Sequence, residues 1–190
     1  MTGLRLYFHF VVVGFSNSYL IGNKEGGDAI LVDPGIMDAG LISLIEGNGY
    51  NIKHVLITHA HEAHTGGLRT LLKIYPATVY ASHPRVCDTE TVQLTEGSEL
   101  NLSGITVKTI EVPGHSSDSL AYKIGQMLFT GDVLGAGFIG STPNSYAQAL
   151  LINGIKNKLL CYEDDHIFPG HGPPTTVRAE NAFNPYLLEE

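Results

Sequence analysis

From Leu4 to Val13 the pattern of apolar and polar positions is strand-like, with Arg5 and His9 set among apolar residues before the run Phe10–Val13, then Gly14-Phe15-Ser16-Asn17-Ser18 turns and Ser18-Tyr19-Leu20-Ile21 resumes β character. Patterning of this kind predicts strands. A third strand, Ala29-Ile30-Leu31-Val32, stops at Asp33-Pro34-Gly35. Leu41, Ile42, Leu44 and Ile45 recur at helical spacing, and Gly47-Asn48-Gly49 supplies a stop. Val55-Leu56-Ile57-Thr58 then reads as a buried strand. Leu68, Leu71, Leu72 and Ile74 predict a helix that Pro76 ends, and Thr78–Ala81 a further strand. The segment from Pro84 to Glu99 carries no clear period and reads as short helix or loop. Ile105–Val112 alternates cleanly, Leu120–Thr130 is a hairpin around Gly125-Gln126, Tyr146–Leu160 is helical, His166–Phe168 is a short strand, and Thr175–Ala182 is a closing helix. The order of meander and helix occurs twice, which predicts an α+β fold with two similar halves.

No proline-rich, glycine-rich or charged block divides the 190 residues, so residues 1–190 are read as a single domain. A formal charge of −8 with only 11 lysines and arginines disfavours a nucleic acid or an anionic membrane as partner. The apolar run Phe10–Val13 is far too short to span a bilayer. The expectation is a cytoplasmic protein acting on a small molecule. Cys87 and Cys161, distant and in no paired spacing, are expected to be reduced, semi-buried thiols.

The chemistry enters where the fourth apolar run ends, in Thr58-His59-Ala60-His61-Glu62-Ala63-His64. In extended backbone, residues two apart share a side, so His59 and His61 aim at one point, and His64 follows from the start of the next helix. Neutral imidazoles so arranged suit a borderline divalent cation, although in a chain with nine histidines such a cluster also arises by chance. The pattern then repeats. Strands also end in Pro113-Gly114-His115, in Thr130-Gly131-Asp132 and in Pro169-Gly170-His171. One metal held by His59, His61 and His115 leaves a position for water, whose lowered pKa yields hydroxide near neutral pH. Asp132 can span two cations, with His64 and His171 completing a second site. Asp132, His64 and His171 are therefore the candidate catalytic residues. His9, His54, His83 and His166 are read as ordinary surface or core histidines, and Asp33 as a turn acid that braces the histidine loop.

These residues, in this order and spacing, resemble the metallo-β-lactamase superfamily, and within it small hydrolases similar to glyoxalase II (hydroxyacylglutathione hydrolase). Further likenesses are Ile30–Gly35, Phe129–Asp132, and the tail Phe168-Pro169-Gly170-His171-Gly172-Pro173-Pro174-Thr175-Thr176 with Asn184-Pro185-Tyr186-Leu187. The resemblance implies a four-layer αββα sandwich and a thioesterase-like hydrolase with one or two metals, zinc first, with iron or manganese as alternatives. Two departures stand out. Ala63 occupies the position of the family's second-site aspartate, which weakens that site, and Ile139–Asn144 lacks the family's usual Gly-Arg-Thr-Asp run. Two other readings stand beside it: a mononuclear iron oxidoreductase similar to persulfide dioxygenases, for which His59, His115 and Asp132 supply the ligand set and the missing aspartate matters less, or, motivated by Ala63, a catalytically impaired metal-binding module.

Overall fold

The structure is a computed structural model and describes residues 3–188. The chain forms two compact units. The first runs to Leu94 and includes Leu102–Gly104, and the second comprises Thr95–Asn101 and the residues from Ile105 onward.

The first unit begins with β1 (Leu4–Val11), β2 (Ser16–Asn23) and β3 (Gly27–Val32), followed by α1 (Ala39–Gly47), β4 (Tyr50–Leu56), α2 (Glu62–Thr65), α3 (Leu68–Ile74) and β5 (Thr78–Ala81). Three two-residue strands follow: β6 (Arg85–Val86), β7 (Thr89–Glu90) and β8 (Val92–Gln93). The sheet order is β1-β2-β3-β4-β5-β8. Helix α1 starts where the Asp38 side chain accepts from Leu41 N at 2.8 Å, and its Leu41 and Ile45 are buried against Leu20, Leu31, Ile52 and Val55. β3 and β4 run parallel, with Val32 opposite Leu56. Their carboxyl ends therefore release Asp33 and Thr58 side by side.

The second unit contains β9 (Glu99–Leu102) up to Asn101, then β10 (Ile105–Glu111), β11 (Leu120–Ile124), β12 (Met127–Gly131), β13 (Leu134–Gly135) and β14 (Phe138–Ile139). After α4 (Ser145–Gly154) come a π-helical turn (Ile155–Leu159), β15 (His166–Pro169), β16 (Thr175–Thr176) and α5 (Val177–Phe183). The sheet order is β16-β15-β12-β11-β10-β9. β12 and β15 are parallel, Gly131 lying opposite Pro169, and both neighbours across β11 are antiparallel to it. So β10, β12 and β15 exit at one edge, and that edge carries His115, Asp132 and His171. Ile110, Leu128, Leu151, Ile155, Ile167 and Val177 form the core of this unit.

Most expected elements are present, and the differences have local causes. β1 stops at Val11 because the chain turns over Val12–Phe15, with φ of +89° at Gly14 and +52° at Phe15. Positive φ in successive residues ends a strand whatever its hydrophobicity. Pro84–Glu99 is strand and turn, not helix. β6 and β7 pair around Cys87 and Asp88, which take the two positive φ angles, +48° and +61°, that such a tight hairpin turn needs. Asn-Gly is the usual signal for that turn, and Cys-Asp hides it. The helix expected from Tyr146 to Leu160 is α-helical only to Gly154 and π-helical beyond it. Both cysteines are free and exposed rather than semi-buried. Among the described residues, no helix is long and apolar enough to cross a membrane.

The Asp38 cap also accepts from or pairs with His9 Nε2 at 3.1 Å. Asp38→Ala leaves the first turn of α1 without its acceptor, and urea unfolding is expected to show a loss of about 1 kcal/mol.

Candidate metal centre

In the first unit the site is built from one carboxylate outward. Asp33 follows β3, has φ of +50°, and is buried. Its Oδ1 accepts from Thr58 N at 2.8 Å, and its Oδ2 accepts from Thr58 Oγ1 at 2.6 Å and from His64 Nδ1 at 3.0 Å. A carboxylate can only accept when ionised, so His64 carries its proton on Nδ1 and offers the Nε2 lone pair. The same reasoning reaches His59 through Thr58. That hydroxyl gives its single proton to Asp33, so its 3.1 Å contact with His59 Nδ1 is one in which the imidazole donates. His59 Nε2 is thereby left as a lone pair as well.

His59 Nε2 lies 3.0 Å from His61 Nδ1. That is near the ~3.3 Å separation expected of two ligand atoms on a tetrahedral cation with arms of ~2.0 Å. The ring of His59 lies 4.5 Å from that of His61 and 4.4 Å from that of His64, between centroids. The backbone supports this cluster from below. His61 precedes α2 with extended φ and ψ, and its carbonyl accepts from His64 N at 3.0 Å and Thr65 Oγ1 at 3.1 Å. Gly35 N donates to His64 O at 3.0 Å.

In the second unit, Asp132 Oδ2 stands between two imidazoles, 3.6 Å from His115 Nε2 and 3.4 Å from His171 Nε2. His115 Nδ1 donates to the Ser141 carbonyl at 2.8 Å, which again assigns the lone pair to Nε2. Gly140 passes so close to this pair that an added Cβ would overlap the Asp132 carbonyl and come within 2.9 Å of His115 Nδ1. Only glycine fits there. Gly170 N donates to Gly131 O at 2.7 Å, locking the loop of His171 to that of Asp132.

Each of the six residues expected from the sequence thus lies in a cluster within its own unit: His59, His61 and His64 in the first, His115, Asp132 and His171 in the second. Thr58 and the Ser141 carbonyl were not anticipated. A polar residue closing an apolar strand was the available sign for Thr58, whereas nothing in the sequence marks a backbone carbonyl. Two of the other histidines have ordinary partners: His9 has Asp38, and His54 has Ser103 Oγ at 3.0 Å. Ala63 lies at α2 with its carbonyl accepting from Ser16 Oγ at 2.6 Å, and a cavity of about 380 Å³ is lined by Val13, Gly14, Ile36, Glu62, Ala63 and Gly66. Glu62 is exposed.

The family model described as "Metallo-beta-lactamase superfamily" matches residues 11–180. The chain belongs to the metallo-β-lactamase superfamily. A protein of Mycobacterium bovis bearing no functional name is 31% identical over 208 residues, covering 90% of this chain and 92% of its own length. A hydroxyacylglutathione hydrolase of Prochlorococcus marinus is 34% identical over 170 residues, covering 81% of this chain and 66% of that enzyme. Among solved structures, the B3 metallo-β-lactamase BLEG-1 superposes with a TM-score of 0.88 at 26% identity, over 97% of this chain and all of that one. The metallo-β-lactamase fold expected from the sequence is therefore the fold of this chain. In a member of this superfamily, histidines held in one tautomer, and in the second unit standing beside a carboxylate, are the donor chemistry of a metal-binding protein.

Asp33→Ala removes the acceptor for three donors at once. Urea unfolding is expected to show a loss of about 3 kcal/mol, at the upper end for buried groups left unsatisfied. The Nδ1–H signal of His64 in proton–nitrogen NMR is expected to disappear with it.

Proposed function

We propose that this protein is a metal-dependent hydrolase of thioesters or related esters, with His59, His61, His115 and Asp132 serving one metal and His64, Asp132 and His171 serving a second. The observation that carries the reading is the tautomer assignment. His59, His64 and His115 each have Nδ1 committed to a protein acceptor, so each presents Nε2 as a ligand before any metal arrives. A divalent cation bound there supplies Lewis acidity and lowers the pKa of a bound water toward neutrality. The donor set, rich in imidazole, suits zinc first and accommodates iron or manganese.

The roles of the chain's own groups follow. Asp132 Oδ2 sits between His115 and His171 and serves both metal positions. His64 and His171 hold the second position, which lacks a carboxylate of its own because residue 63 is alanine, and its affinity is the weaker of the two. The exposed Glu62 does not replace that carboxylate. The 380 Å³ cavity beside Ala63, bordered by Val13 and Ile36, accepts the apolar acyl part of a small-molecule substrate. The name of the Prochlorococcus relative supports the thioester class.

Two experiments test this. Zinc-loaded protein is expected to hydrolyse members of a panel of acyl thioesters and lactones, and His115→Ala or His59→Ala to lower the rate at least 100-fold. Unchanged turnover in either variant would overturn the proposal. Ala63→Asp is expected to raise both occupancy of the second position and rate, by about tenfold. A protein inactive on the whole panel, with Ala63→Asp equally inactive, would leave the binding-module reading. Turnover that requires iron and consumes oxygen with a persulfide would replace hydrolysis by oxidation.

A further inference from the structure

Another buried carboxylate, Glu180 on α5, is not among the candidate ligands and yet is tied to one of them. It is 4% exposed, and burying a charge is costly unless the surroundings hydrogen-bond it. Three donors converge on it. Thr175 Oγ1 donates to Oε1 at 2.7 Å, and Gly137 N at 2.9 Å and Asn184 Nδ2 at 2.7 Å donate to Oε2. Asn184 is fully buried, and its Nδ2 also reaches the Phe138 carbonyl at 3.3 Å. Gly137 and Phe138 form the tip and return strand of the β13–β14 hairpin, which leaves directly from Asp132 and comes back to Gly140 and Ser141.

That return is what places the acceptor for His115. The pairs Leu134–Ile139 and Gly135–Phe138, with Gly140 N donating to Val133 O at 3.4 Å, hold the hairpin closed so that Ser141 O stands 2.8 Å from His115 Nδ1. The same clamp holds Phe138 near Gly172, next to His171, where an added Cβ would lie 3.5 Å from the ring. We propose that Glu180, with Asn184, is a positioning residue for His115: it fixes the β13–β14 hairpin, which in turn fixes the Ser141 carbonyl and hence the His115 tautomer. A carboxylate suits this task because it accepts several backbone and side-chain donors at once with no proton of its own. The inference rests on the metal-centre reading for its purpose. Its geometry does not depend on that reading.

The test is proton–nitrogen NMR of the histidine rings in metal-free protein, followed by zinc loading and challenge with a chelator. In Glu180→Ala and Asn184→Ala, the His115 Nδ1–H is expected to exchange with water at least tenfold faster while that of His64 is unchanged, and zinc is expected to be lost to roughly tenfold lower chelator. Glu180→Gln keeps an acceptor oxygen and is expected to restore part of the protection. A folded Glu180→Ala protein whose His115 signal exchanges as in the parent would overturn the proposal, even if its thermal stability has fallen. Should Glu180→Ala fail to fold, Thr175→Val removes one donor only. It is expected to shift the His115 signal in the same direction by a smaller factor, and no shift there would overturn the proposal too. Because the ring signal is read without metal, protein that binds no zinc but shows the His115 effect would refute the metal reading alone.

Discussion

The carboxylate of Asp33 is the constraint on which the first half of the site depends. It is buried, it occupies the left-handed backbone region, and its two oxygens satisfy the Thr58 amide, the Thr58 hydroxyl and the His64 imidazole. Those three bonds decide where protons sit on two imidazoles, one directly and one through the hydroxyl. An isolated histidine exchanges tautomers freely, whereas one that donates Nδ1–H to a fixed acceptor presents Nε2 in one direction. Much of the entropic cost of assembling such a set of donors is thus met when the chain folds.

The topology explains why this is possible in each unit. In both sheets the pair that delivers chemistry is parallel: β3 with β4, and β12 with β15. Parallel neighbours end at the same edge, so the residues just beyond them fall together without long loops. Rigid strands then position short exits, and function is concentrated where backbone leaves the sheet. Asp33 reaches Thr58 for this reason, and Gly170 reaches Gly131 for the same one.

The alternation and helical spacing made the strands and helices legible, and the strand exits made His59, His61, His64, His115, Asp132 and His171 stand out as candidates. What was not legible shares a physical cause. The tight turn at Cys87-Asp88 adopts positive φ in residues that rarely signal it, and the end of α4 changes its hydrogen-bond period without a change in hydrophobic pattern. The Ser141 carbonyl beside His115 and the Gly137 amide bound by Glu180 are long-range contacts to backbone, which no residue type announces. Asp33 was legible as a brace for the histidine loop. Its direct bond to His64 needed the register of β3 against β4.

Residue 63 is alanine, and on the proposed function it is this residue that makes the second metal position the weaker one. Metal content per chain, measured by elemental analysis on protein purified without chelator or affinity metal, tests the account most directly. The account predicts one metal held tightly per chain, with a second appearing only on titration with excess. Protein that retains no metal and takes up none on titration would contradict it, as would two metals held with equal tenacity.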